Sequence, residues 1–206
     1  MKTTPHFATR TATRTATVTV SALAATLLAA CGSMSGMKSM DMPMKDSMMY
    51  SQAMLPATVQ VPAGNKVAME TVGVGEITYA CNPKKDMADQ FEWVFVGPDA
   101  KLNDRSGKQV GKYYGPPATW ESMDGSKLTG AQVAVSPSSA GNIPLQLVKA
   151  NPAMANSVQG AMSGVTYIQR VATMGGVAPA MPCDAGTAGS KKIVKYQADY
   201  IFYKAI

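Results

Sequence analysis

The stretch Val194-Lys195-Tyr196-Gln197-Ala198-Asp199-Tyr200-Ile201-Phe202 decides the fold class. Val194, Tyr196, Ala198, Tyr200 and Phe202 fall on one face, and Lys195, Gln197 and Asp199 on the other. A period of two with aromatic and β-branched residues on one side is the pattern of a half-buried strand. The same period recurs upstream. Ile77, Tyr79 and Cys81 are in phase within residues 69–81, and Phe91, Trp93 and Phe95 oppose Glu92, Val94 and Val96. Residues 127–135 bring Ala131, Val133 and Val135 together, and Val165, Tyr167 and Val171 alternate with Thr166, Ile168 and Arg170.

Turn chemistry separates these runs. Gly97-Pro98-Asp99, Asn103-Asp104, Gly115-Pro116-Pro117, Asn142 with Pro144, Asn151-Pro152 and Gly175-Gly176 all read as breaks. Asp124-Gly125, between Trp120 and Leu128, reads as the turn of a hairpin. One short helix is expected at most, over residues 152–162. Evenly spaced strands without long helices between them predict an all-β domain over residues 57–206, an antiparallel sandwich or barrel.

The N-terminal part is of another kind. Lys2, Arg10 and Arg14 precede an apolar run from 18 to 30, shorter than the ~20 residues that span a bilayer. The run ends Leu28-Ala29-Ala30-Cys31-Gly32, which resembles the lipobox of bacterial lipoproteins. Residues 1–30 are thus expected to be a signal peptide, with Cys31 lipidated as the anchor to a membrane. Gly32 in place of an aspartate points to the outer membrane, with the domain in the periplasm. Loss of the leader lowers the net charge from +6 to about +3 and leaves no Lys/Arg cluster, which argues against nucleic acid as a partner. It also removes His6, the one histidine, and with it Ser-His-Asp catalysis and His-ligated zinc or haem. Cys81 and Cys183 remain as a pair in an exported chain, and a disulfide between them is expected.

Residues 31–56 read as a flexible tether, holding half of the chain's 16 methionines. Thioethers are soft ligands suited to Cu(I), and Met34, Met37, Met40, Met42, Met44, Met48 and Met49 are spaced so that several sulfurs can converge on one ion. Oxidant scavenging and a plain spacer are the other readings. Ser35-x-x-Lys38 matches a serine hydrolase signature but falls in the tether, away from any scaffold.

Within the domain, Tyr113, Tyr114, Trp120, Glu121 and Asp124 are the densest cluster of aromatic and acidic residues. Aromatic faces beside carboxylates suit a carbohydrate, cell-wall or protein ligand. Two carboxylates held across a cleft would suit a hydrolase. Gln169-Arg170 with Thr173 is a second polar cluster. No residue is assigned a catalytic role, and the expectation leans to a non-enzymatic envelope protein.

Several segments together resemble a known family. They are Ile77-Thr78-Tyr79-Ala80-Cys81, Gly111-Lys112-Tyr113-Tyr114, Trp120-Glu121 with Asp124-Gly125-Ser126, Tyr167-Ile168-Gln169-Arg170 with Thr173-Met174-Gly175-Gly176, Cys183, and Tyr196-Gln197-Ala198-Asp199-Tyr200 with Phe202-Tyr203. The chain resembles, over about residues 57–204, an exported bacterial and fungal family catalogued as a domain of unknown function. Some fungal members carry a malate dehydrogenase label. That label does not transfer: Gly73-Val74-Gly75 lacks the third glycine of a dinucleotide loop, and the mature chain has no histidine. Tyr113 stands where the family often has histidine, and Pro116-Pro117-Ala118-Thr119-Trp120 has an extra residue. The resemblance implies a fold and export, not an activity.

Overall fold

The computed structural model describes residues 51–152 and 159–206. The leader, Cys31, the methionines from 34 to 49 and most of the expected helix lie outside the described residues. The described end of that helix segment, 159–162, is bend and turn, with Gly160 at φ +121°.

Eight antiparallel strands follow one another: β1 (Asn65–Lys84), β2 (Met87–Asn103), β3 (Gln109–Tyr114), β4 (Thr119–Ser122), β5 (Lys127–Ser136), β6 (Leu145–Ala150), β7 (Val165–Gly175) and β8 (Lys191–Ala205). Each pairs with its neighbour in sequence, and β8 pairs with β1 to close a barrel. The architecture is therefore the barrel and not the sandwich. An eight-stranded barrel is just wide enough for side chains to fill it or for one small ligand.

The β8 alternation holds as read. Tyr196, Ala198, Tyr200 and Phe202 point into the core with Ile77, Leu102, Leu128, Val148 and Ile168. Gly73 is where the barrel needs its smallest residue, because a Cβ there would run into the Tyr200 ring. Met162, buried in the turn after residue 159, closes the barrel end at which β8 finishes, its N–H donating to Ser126 Oγ at 3.1 Å.

Three readings need correction, each because a β-bulge shifts the period of two. Gly97-Pro98-Asp99 is not a break. These residues lie inside β2, paired with Thr78, Ile77 and Glu76, beyond a register shift that leaves Val96 out of the pairing. Inward positions are 91, 93 and 95 before the shift and 98, 100 and 102 after it. Ala131, Val133 and Val135 do not share a face, since the register breaks between Gln132 and Ala134. Ala131 then faces out beside Lys149, and Val135 faces in beside Gln146. In β7 a shift after Val165 sends Tyr167 and Val171 outward and Ile168 and Arg170 inward.

The stretch from 51 to 56, expected as tether, packs on the barrel. Two 3-10 turns, Gln52–Met54 and Ala57–Val59, lie along the outside of the wall. Leu55 and Val61 cover a second small core of Val171, Ile201 and Tyr203. Beneath them Gln169, fully buried, donates to the Val59 carbonyl and accepts from Gln52 Nε2 (3.1 Å) and the Tyr203 hydroxyl (3.0 Å). A buried amide on the outer face of a strand is stable only with such partners. Residues 51–61 are thus a strap on the wall.

The disulfide between Cys81 and Cys183 is present, with Cα atoms 5.5 Å apart. It holds the 176–190 loop over the upper part of the β1–β2 hairpin. Backbone bonds join Cys81 to Ser190 (2.9 Å) and Gly189 (2.8 Å), and Trp93 Nε1 donates to the Met181 carbonyl at 2.9 Å.

Candidate functional site

The five clustered residues 113, 114, 120, 121 and 124 sit on a tight hairpin, and strand alternation divides them. Tyr113 pairs with Trp120 and Tyr114 with Thr119. Tyr113 and Trp120 therefore enter the barrel, where their rings stack 4.7 Å apart at 20°. Tyr200 closes against both, its ring centroid 4.9 Å from Tyr113 and 6.1 Å from Trp120. Tyr114 and Glu121 stay on the outer wall, where the Tyr114 hydroxyl donates to Glu121 Oε2 at 2.7 Å and Lys112 lies 3.5 Å from the same oxygen. Asp124 is in the β4–β5 turn. Its carboxylate accepts from the N–H groups of Ser126 (2.9 Å) and Ala161 (2.8 Å) and ties that turn to the loop after residue 159.

The electrostatics of the two carboxylates follow from these partners. The Tyr114 hydrogen bond, helped by Lys112 and Lys127, holds Glu121 below the usual carboxylate range. The Ser126 hydroxyl and the two backbone N–H groups hold Asp124 down to about 2. General acid catalysis by a carboxyl needs a raised pKa, and neither group has one. Each is a bonded anion with a structural job.

A different set gathers at the barrel end where β8 starts. β4 is only four residues long and pairs with β5 no further than Thr119 with Thr129. Beyond Thr129, among the described residues, β5 has a partner on the β6 side alone. The wall is open there. Through the opening face Gln132, Val135, Gln146 and Arg170, which register places on the inner side: Gln132 pairs with core Val148, Val135 with Gln146, and Gln146 with Arg170, itself paired with core Tyr200. Val135 is 45% exposed although it points inward. Lower in the barrel, Leu128, Val148 and Ile168 are sealed.

The groups at the opening are polar, and buried aromatic rings lie behind them. Arg170 donates from Nε and Nη2 to the Pro144 carbonyl at 3.1 and 3.0 Å. Tyr196 and Tyr200 hydroxyls lie 3.2 Å apart, and Tyr79 donates to the Gly176 carbonyl at 2.8 Å. Burial pushes the hydroxyls of Tyr79, Tyr113, Tyr196 and Tyr200 up, while the Arg170 guanidinium pulls all four the other way. One cation thus acts on four phenols, which stay protonated at neutral pH. Trp120 is 1% exposed, and its indole N–H has no partner among the described residues.

Of the cluster read from sequence, the structure packs Tyr113 and Trp120 into the core behind this opening and places Tyr114, Glu121 and Asp124 elsewhere. It adds Tyr79, Tyr196 and Tyr200, whose spacing signalled only an apolar face, and Arg170, which the second polar cluster had flagged. The signal that could have found them is a phenol at three of the inward positions of β1 and β8, where aliphatic residues would fill a core as well.

No curated protein and no solved structure matches the chain. A family model does, over residues 62–204, which takes in the first seven strands and all of β8 but its last residue. The chain belongs to the family described as "Protein of unknown function (DUF3455)".

Proposed function

We propose that this chain is a non-enzymatic envelope lipoprotein that binds a small ligand in the open side of its barrel. The observation that carries this is the inward-facing, solvent-accessible set of Gln146 and Arg170 above a sealed core, in a wall that β4 leaves unfinished. Small-molecule sites are concave and furnished with a few converging polar groups, and here Gln132, Gln146 and Arg170 converge beside Val135. The low pKa values of Glu121 and Asp124 and the absence of histidine from the domain favour binding over hydrolysis. The disulfide accords with export, and the lipobox supplies the anchor through Cys31, with the outer membrane as its site. A thermal-shift screen of small metabolite-sized compounds tests the pocket. A true ligand at roughly hundredfold excess over its Kd raises Tm by about 5 °C. Gln146→Trp, which fills the opening, should fold normally and abolish the shift. A shift that Gln146→Trp leaves intact, or a screen in which nothing stabilises the protein, refutes the pocket.

A second reading concerns the tether, on a separate observation: eight methionines within 21 residues and no histidine among them. Soft thioethers without imidazole select Cu(I) over Cu(II). Cu(I) titrated against a competing chelator should bind the mature chain tightly, and the binding should vanish with residues 32–49 deleted or with Met→Leu at 37, 40, 42 and 44. Equal, weak binding by the intact and shortened chains leaves the segment a spacer. The deletion stops at 49 because the strap begins at 51.

A further inference from the structure

We infer that the unpaired edge of β2 takes up a short extended peptide, apolar at alternate positions and basic between them, as an added strand in the open side of the barrel. This rests on the reading of the open side as a binding site and names the class of ligand.

Two strand edges frame the opening. β3 pairs with β2 no further than Asp99, so residues 87–96 of β2 have β1 as their one neighbour among the described residues. Across the gap, β5 from Gly130 to Ser136 has β6 alone. The β3–β4 turn forms the floor, where a Cβ on Gly97 would meet the Gly115 carbonyl oxygen. Above that floor the wall lacks two strands. Neighbouring strands lie ~4.8 Å apart, so the edges are separated by about three such spacings, and an added strand fits beside β2.

The hydrogen bonds of β1 identify the free groups of β2. The Cys81 N–H donates to the Ser190 carbonyl, and the Cys81 carbonyl accepts from Gly189, both on the β8 side. Cys81 therefore turns both groups away from β2, and Trp93 opposite it sits in a non-hydrogen-bonded pair. Such pairs alternate along an antiparallel ladder. Glu92 and Val94 thus bond to β1, whereas Phe91, Trp93 and Phe95 aim N–H and C=O at the gap. These three have no backbone partner there among the described residues. Another extended backbone presents acceptors and donors at the matching spacing.

Side chains set the chemistry of that strand. Phe91, Trp93 and Phe95 also point inward, so each residue that offers its backbone to the gap offers a ring to the same neighbour. Phe95 is 53% exposed, its ring edge-on to Tyr79 with centroids 6.0 Å apart. Apolar residues of an added strand would lie directly across from these rings, a pairing that stabilises sheets. On the outer face Glu92 is exposed, and no lysine or arginine pairs with it among the described residues. Residues 87–96 hold Asp89 and Glu92 and no basic residue. A lysine or arginine opposite Glu92 completes the pair. The same charge disfavours a second copy of the chain. β2 paired with its own copy, rings in register about Trp93, would set the two Glu92 carboxylates diagonal to one another. Edges that stay free are commonly guarded by lysine or proline, and residues 91–95 contain neither.

The probe is the blocked pentapeptide acetyl-Val-Thr-Val-Lys-Val-amide, which antiparallel pairing lays with its lysine opposite Glu92. Its counterpart has glutamate in place of lysine. Both are titrated into the isotope-labelled full mature chain and followed by NMR. Without peptide, the amides of Phe91, Trp93 and Phe95 should exchange fast, and those of Glu92 and Val94 should be protected. The lysine peptide should protect the first three and bind at least about fivefold more tightly than the glutamate peptide. Glu92→Lys, at an exposed site, should invert that order. N-methylation of the central valine, whose N–H faces Trp93, should weaken binding about tenfold. Protection of the three amides in the chain alone would overturn the proposal, because the chain itself or a second copy then covers the edge; sedimentation tells these apart. Equal binding by both peptides, or binding unmoved by N-methylation, would overturn it as well. So would failure of both peptides to bind at up to about 5 mM, and a compound whose thermal shift Gln146→Trp abolishes would then keep the open side as the site of another ligand.

Discussion

Replacing both Cys81 and Cys183 with serine is expected to remove about 4–5 kcal/mol of stability, measured by urea unfolding of oxidised wild type against the double variant. The bond closes a loop across a sequence separation of 102, and the chain-entropy model puts ~4.7 kcal/mol on a loop of 100 residues. Its ends are well placed to deliver that figure. Cys81 is fully buried and bonded through its backbone to Ser190 and Gly189, contacts that do not involve its sulfur and that serine can keep. Because the bridge acts on the unfolded chain, the loss should appear as a lower midpoint with a steeper slope, the uncrosslinked chain exposing more surface when it unfolds. Hydrogen exchange should rise first in the 176–190 loop. A loss below about 1 kcal/mol would mean that the unfolded chain is already compact between these positions.

The second large effect is Arg105→Ala, with an expected cost of about 2–3 kcal/mol at pH 8 that shrinks as the pH falls. Arg105 reaches from the β2–β3 turn across β1 to Asp199 Oδ2 at 2.7 Å and Glu70 Oε2 at 3.0 Å. Asp199 is 6% exposed at its side chain and Arg105 34%. Removing the partner of a buried carboxylate costs ~3–5 kcal/mol, and the partial exposure of Arg105 places this case at or below the lower end. Burial pushes the Asp199 carboxyl up to about 6, against the pull of the 2.7 Å bridge. The unfolded carboxyl releases its proton near ~3.9, so between there and about pH 6 the folded state binds more protons. Stability from this group falls as pH rises through that window. Without Arg105 the carboxyl climbs further, and the window extends upward. The variant should thus come closest to wild type near pH 5, where Asp199 is neutral. Adding Asp199→Asn should recover part of the loss at pH 8. A pH-independent deficit, or no recovery in the double variant, would show that Arg105 acts through packing alone.

The course of β8 was legible because one face was almost wholly aromatic or small and the other was charged. The meander was legible from its turns, since Asp124-Gly125 and Gly175-Gly176 do end strands. What could not be read was the phase beyond a bulge. Nothing local to Val96, or to the stretch from Gln132 to Ala134, announces an extra residue; the bulges answer to barrel curvature, a property of all eight strands at once. The strap was missed for a related reason. Gln52 and Leu55 look like linker, and their partners Gln169 and Tyr203 are more than 100 residues away. The candidate site was half legible. Tyr113 and Trp120 stood out by composition, but proximity in sequence suggested that Glu121 and Asp124 shared their surface, which a strand's alternation forbids. Arg170 gave its signal only as a charge in a strand, and the opening that makes it accessible comes from the shortness of β4.

The strap also determines how the barrel meets a pull on its N-terminal end. The family match begins at residue 62, so the strap lies outside the part this chain shares with its family. Tension transmitted along the chain would arrive first at Gln52 and Leu55, on the flank of β7 and β8, and would load the Gln52 bonds to Gln169 and Tyr203 before it reached β1. A strand peeled from its end loses its ladder one rung at a time; this arrangement spares β1 that fate. Residues 51–61 act as a strain relief at the point where the cable enters the housing, so that β1 is not the first element a pull meets.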